Sequence, residues 1–285
     1  MPSRNSFGAS VAKREAPGTG RPVSRLSTLL GEHEPAVCRV VNPEARTPLL
    51  LTCDHASWTV PESLGDLGLP VRELTSHIGW DPGAAEVTLL LAKRFDATAV
   101  LSGYSRLVVD CNRKPGSEHF IPRVSHGVRV PGNARLSPQE VAQRRDTLFS
   151  PYHEAIAKAL SLIRERGATP IYLAVHSFTP RLNGFNRPWH FGVLWDEDGR
   201  LARPLIAALR GFPGIAAGDN EPYSARDHFD FSQEFHASSA GIPSALVEIR
   251  SDLIREPAGV TRHAGLLGDA LERTLDNLGE LYEPA

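Results

Sequence analysis

The sequence predicts an α/β fold, with a mostly parallel sheet covered by helices. Three observations lead there. Short apolar runs at 48–53, 170–175 and 243–249 have the length and bounds of buried strands. Segments of helical spacing separate them, which favours parallel pairing over hairpins. Two of the runs end on a polar cluster containing a histidine, Asp54-His55 and His176-Ser177. In open α/β sheets the carboxyl ends of the strands form the ligand crevice.

The elements follow in order. Residues 1–35, rich in Ser, Arg, Gly and Pro, read as a disordered or loosely attached arm, and 36–285 as a single domain. A strand at 37–41 opens the folded part, 48–53 is the first firm strand, and 64–69 is rich in turns. Residues 81–95 form a helix, with Pro82 in its first turn and Ala85, Leu89, Ala92 and Phe95 at helical spacing. Strands are expected at 97–101 and 107–109, then a long loop over 113–136. Ser137-Pro138-Gln139-Glu140 starts a helix running to about residue 166, with Pro151 as a break point and Gly167 as its end. Strands at 170–175, 191–195 and 243–249 and helices at 202–209 and 258–281 complete the chain.

Composition excludes several classes. The chain has 285 residues, 41% hydrophobic and 22% charged, with a formal charge of −2, so no basic excess drives nucleic-acid binding. No apolar stretch reaches the length of a membrane span. Three widely spaced cysteines, Cys38, Cys53 and Cys111, argue against a disulfide framework and a thiolate metal site, and for a reducing cytoplasm. No phosphate-binding loop, dinucleotide fingerprint or G-x-S-x-G elbow is present.

The chemistry-bearing residues fall into three groups. A catalytic zinc takes three N/O ligands and keeps a position for water. His55 and His176 suit two of these. The third is a carboxylate, for which Asp81, Asp54 and Glu86 compete. Histidines this far apart are a weaker signal than an HExxH helix. Glu248 is an acid inside an apolar strand, where burial is costly unless it serves a metal, a cation or a proton transfer. Arg250 falls on the same side of that strand, so an internal ion pair is the plainer reading. In "YSRLVVDCNR", Arg106, Asp110, Asn112 and Arg113 bracket an apolar triplet, and two Arg forks there could clamp a carboxylate. A surface salt-bridge network would look the same. Asn220 and Tyr223 mark a turn that could line a pocket. His236, before a run of small residues, could donate to an oxyanion; as a lone histidine it is more often structural.

"CDHAS…VPESLGDLGL", "HIGWDPGA", "YSRLVVDCNR", "VHSFTP", "DNEPYS" and "HASSAGIPSALVEIRSDLI" occur in that order. Together they resemble the N-formylglutamate amidohydrolase family from about residue 49 to residue 254. The resemblance implies a three-layer α/β/α fold similar to that of zinc-dependent exopeptidases, with one zinc per chain. It implies His55, Asp81 and His176 as the metal set and Glu248 as the general acid/base. Arg106, Asp110, Asn112 and Arg113 fall on the motif associated with substrate binding. His236, Asn220 and Tyr223 are placed by position only, and Arg250 or His236 is a candidate oxyanion donor. The activity implied is cleavage of an N-acyl amino acid such as N-formyl-L-glutamate to formate and a free amino acid. Two other readings accompany it: a zinc peptidase or amidase with another substrate, and a non-catalytic protein that binds small carboxylates on the same fold.

Overall fold

The computed structural model of the chain describes residues 28–227 and 230–282. Its centre is a seven-stranded sheet built from β1 (Cys38–Val41), β2 (Leu49–Cys53), β3 (Thr98–Ser102), β6 (Ile171–Phe178), β9 (Phe191–Leu194), β10 (Ala217–Asp219) and β11 (Ser244–Arg250). The strand order is β1-β3-β2-β6-β11-β9-β10. Pairing is parallel except for β1 on β3 and β9 on β11. Two short hairpins stand outside the sheet: β4 (Val124–Ser125) with β5 (Val128–Arg129), and β7 (Arg181–Leu182) with β8 (Phe185–Asn186).

All five residues of β2 are buried, because helices cover both faces of the sheet. Alternation along each strand divides the core. Leu49, Leu51, Ala99, Leu173, Val175, Ala245 and Val247 pack beneath α2 (Ala84–Arg94), α5 (Ala202–Arg210) and α7 (Pro257–Tyr282). Leu50, Val100, Tyr172, Ala174 and Leu246 pack on the other face, against Tyr152, Ile156 and Leu160 of α4 (Ser150–Glu165). Helix α6 (Phe231–His236) joins α4 on that face. The α/β fold expected from the sequence is the observed one.

Four local expectations change. The apolar triplet 107–109 is buried but is a turn, not a strand. Three residues are too few to sustain a ladder, and their carbonyls find other donors: Asn133 Nδ2 donates to Leu107 O and Arg144 to Val108 O. The helix expected from residue 81 begins at Ala84, after Gly83 at φ 83°, which leaves Asp81 outside the helix. The helix from Ser137 forms its capping box with Glu140 and starts as α3 (Pro138–Arg144). It then widens into a π turn over Arg145–Phe149 before α4, so the disturbance lies just upstream of Pro151. The loop over 113–136 contains the β4–β5 hairpin. Helix α1 (Val71–Leu74), α6, β10 and both hairpins were not anticipated.

The expected N-terminal arm falls mostly outside the described residues. Its described end lies against the body: Leu29 is buried, Glu62 N donates to Glu34 and Tyr104 Oη donates to Pro35 O. Among the described residues, no helix is long and apolar enough to cross a membrane.

Candidate metal centre and active site

The carboxyl ends of β2, β6 and β11 meet the loop before α2, and each contributes a buried polar side chain. His55 follows β2, His176 lies near the end of β6, and Glu248 is paired in register with His176 across β11. Asp81 reaches them because its segment is tied to the strand end, with Asp81 N donating to His55 O. The ligand atoms of His55, Asp81 and His176 lie within 4.8 Å of one another.

The arrangement around the two imidazoles is symmetric in kind. Asp81 Oδ2 lies 3.3 Å from His55 Nδ1 and 3.0 Å from His176 Nδ1. The opposite ring nitrogens face other buried carboxylates: His55 Nε2 is 2.8 Å from Asp110 Oδ1, and His176 Nε2 is 2.8 Å from Asp54 Oδ2. An imidazole that donates through Nε2 presents a lone pair at Nδ1. Two such lone pairs and one carboxylate oxygen then face one another, which is unfavourable unless a cation or proton sits among them. The backing carboxylates are themselves held. Asp54 Oδ1 accepts from Tyr152 Oη (2.9 Å) and Ser232 Oγ (2.6 Å). Asp110 accepts from the Arg106 guanidinium at 2.9 and 3.1 Å and from Asn112 N. Orienting carboxylates behind ligating histidines are the usual second layer of a metal site.

The charges follow from these contacts. Burial alone would raise the Asp54 carboxyl, but His176, His55 and Ser232 bring it down to about 2. For Asp110, burial is likewise outweighed, first by Arg106 and then by His55, and the carboxyl is held far below its usual range. The bonds from Asp54 and Asp81 overcome burial at His176 and raise its pKa well above 6.5. Glu248 goes the other way. Burial pushes it up to about 7; His176 opposes this, and Asp81 and Asp230 add to it. Its Oε2 has no hydrogen-bond partner, and neither has Asp81 Oδ1.

A cavity of about 410 Å³ opens over this group. His55, Asp81, His176, Glu248, Arg106, Asp110, Asn112, Arg113 and Tyr223 all line it. Apart from the competing ligands Asp54 and Glu86, the structure therefore gathers nine of the twelve residues singled out in the sequence. Asn112 has a structural task as well: its Oδ1 accepts from Phe231 N and Ser232 N, the first amides of α6. Arg113 approaches Asp230 at 3.6 Å, and Tyr223 Oη accepts from Arg187.

The other three lie elsewhere. His236 is buried on α6, where its Nε2 is 2.8 Å from His153 Nδ1 and the two rings stack. His236 does not line the cavity. Asn220, at φ 53°, accepts from Trp195 N and Ala225 N and shapes its own turn. Arg250 turns outward at the end of β11 to Asp252 and the carbonyls of Arg187 and Pro188. Glu86, a competing metal ligand, is exposed on α2, and Asp54 backs His176 instead of joining the three-ligand set. Sequence reasoning missed Asp230, His77 and His126 at the cavity and Arg187 behind Tyr223. No apolar strand flags these residues, since all four lie on loops.

Comparison with known proteins adds an independent line. The family model described as N-formylglutamate amidohydrolase matches residues 47–255. The chain is 35% identical to a gene product of Agrobacterium tumefaciens of known crystal structure, with a TM-score of 0.85 over 88% of this chain and 99% of that one. The crystal structure of N-formylglutamate amidohydrolase from Ralstonia eutropha shares the fold at 17% identity, with a TM-score of 0.65 over 84% of this chain and 97% of that one. None of the curated proteins matches. The matched span contains every residue of the cavity group, and the chain belongs to the N-formylglutamate amidohydrolase family, hydrolases of amide bonds.

Proposed function

We propose that the protein is a zinc-dependent amidohydrolase that cleaves an N-acyl amino acid, N-formyl-L-glutamate being the reference substrate. The observation that carries the metal is the convergence of His55 Nδ1, His176 Nδ1 and Asp81 Oδ2, with both opposite ring nitrogens already committed to carboxylates. Two imidazoles and a carboxylate form the donor set of many catalytic zinc sites. Zinc held there supplies Lewis acidity, which polarises an amide carbonyl and makes water a stronger acid.

The chain's own residues do the rest. Glu248, next to His176 with a free carboxylate oxygen, takes the proton from the attacking water and returns it to the leaving nitrogen. Arg106 and Arg113 line the cavity and place positive charge for the carboxylate of the amino acid. Arg106 is already shared with Asp110, so it contributes field more than a free fork. Neither His236 nor Arg250 serves as an oxyanion donor in this scheme. The expected cytoplasmic location belongs to the same proposal, supported by three cysteines that are free thiols.

The test is metal content with activity. Wild type purified with zinc supplied should carry about one zinc per chain, and His176→Ala should lose it while staying folded. Wild-type protein that takes up no metal under those conditions, or metal-loaded protein that frees no amine from any N-acyl amino acid, would end this reading.

A further inference from the structure

A second space, larger than the cavity over the metal group, adjoins it. This groove, of about 990 Å³, lies between α2 and the start of α7. Trp80, Leu89, Leu90, Ile254 and Val260 give it apolar walls. Leu90 is 40% exposed there. The charged residues in the lining, Glu86 and Arg255, have opposite signs, so the groove offers no net charge to an ionic ligand.

Two residues, His77 and His126, line both spaces. Their rings meet edge to face, with centroids 5.7 Å apart, so the groove and the cavity adjoin at this pair. The polarity of the combined space is divided by the sheet. Helices α2 and α7 pack together on one face, and α4 and α6 on the other. Arg113, Asn112 and Asp230 meet at the α6 end of the cavity. A ligand spanning the sheet's carboxyl edge would thus have its ionic part beside α6, its reacting bond over the His/Asp group and its apolar part beside α2. A formyl group, with one carbon, would leave the groove unused.

We propose that the substrate is an N-acyl amino acid whose acyl group is an apolar chain longer than formyl, seated in the groove between α2 and α7. The inference rests on the amidohydrolase reading for its chemistry, and on the groove for its substrate class.

The experiment uses full-length, metal-replete protein and N-alkyl glutamates from N-methyl to N-octyl, which lack an amide and cannot be hydrolysed. Calorimetric titration should show the Kd tightening about three- to fourfold per added methylene while the groove fills. Leu90→Asp, at an exposed helix position, should flatten that dependence. In parallel, kcat/KM should rise from N-formyl to N-octanoyl glutamate. A Kd independent of chain length overturns the inference, and hydrolysis of N-formylglutamate alone would then leave the amidohydrolase reading intact. Chain-length-dependent binding with no hydrolysis of any amide would keep the groove as the site of the alkyl chain but remove the amidohydrolase reading, and the substrate inference with it. If Leu90→Asp changes the oligomeric state and leaves the chain-length dependence unaltered, the groove is an interface between copies of the chain and the inference fails.

Discussion

Glu248 and the two backing aspartates carry the sharpest consequences at the level of single residues. Glu248→Gln keeps the volume and removes the base, so metal content should persist while kcat falls by about 10²- to 10⁴-fold. As the proposed base, Glu248 would act only when ionised, so activity would rise with pH through its pKa. Burial places that pKa at about 7 instead of 4.5, and a cation bound beside it lowers it. The acid limb of kcat/KM should therefore fall between those values and vanish in the Gln variant; a limb unaltered by the substitution would assign it to another group. Asp54→Asn removes the carboxylate charge behind His176 Nε2 and should weaken zinc affinity about 10- to 100-fold, read by competition with a chelator. His55, His176 and Glu248 stood out in the sequence because polar residues fell where apolar strands ended or inside one; Asp81 was one of three competing carboxylates there, and only the family resemblance singled it out. The roles of Asp54 and Asp110 were not. Which carboxylate binds and which one orients depends on a difference of a few ångströms that spacing does not encode.

Among the elements, the start of α2 decides where Asp81 stands. Gly83 has φ 83°, and a Cβ there would sit 2.1 Å from Ile254 O. Gly83→Ala should destabilise the protein by at least about 1–3 kcal/mol, measured by thermal melting, and zinc affinity should fall with it because Asp81 is displaced. The periodic pattern from residue 81 located this helix well. It could not place the first turn, because Pro82 suits both the loop and the helix. Short elements were the least legible. Helix α6 has six residues and draws its order from outside: Asn112 accepts from its first amides, Ser232 donates to Asp54, and His236 pairs with His153. The partners of all three lie more than eighty residues away in sequence, beyond any local signal.

At the scale of the whole molecule, the family match ends at residue 255, yet the core does not. Ala264, Leu267, Ala270 and Leu271 of α7 are buried in the same cluster as α2 and α5. A chain cut after residue 255 should lose cooperative unfolding, monitored by circular dichroism, since that face of the sheet would open to water. The layered architecture was readable because the runs in β2, β6 and β11 are long, apolar and spaced by helices. The strand order was not, since β9 pairs antiparallel to β11 in a sheet where parallel pairing predominates.

The rear support of the two histidines bears on how the protein would behave with no ion between them. Asp54 and Asp110 fix the imidazoles through contacts that involve no metal, in a core large enough to stand alone. Domains whose fold depends on zinc unravel when it is stripped. Here inactivation by a chelator should be fully reversible: the stripped protein should keep its far-ultraviolet spectrum and regain activity as soon as zinc is returned, with no refolding lag.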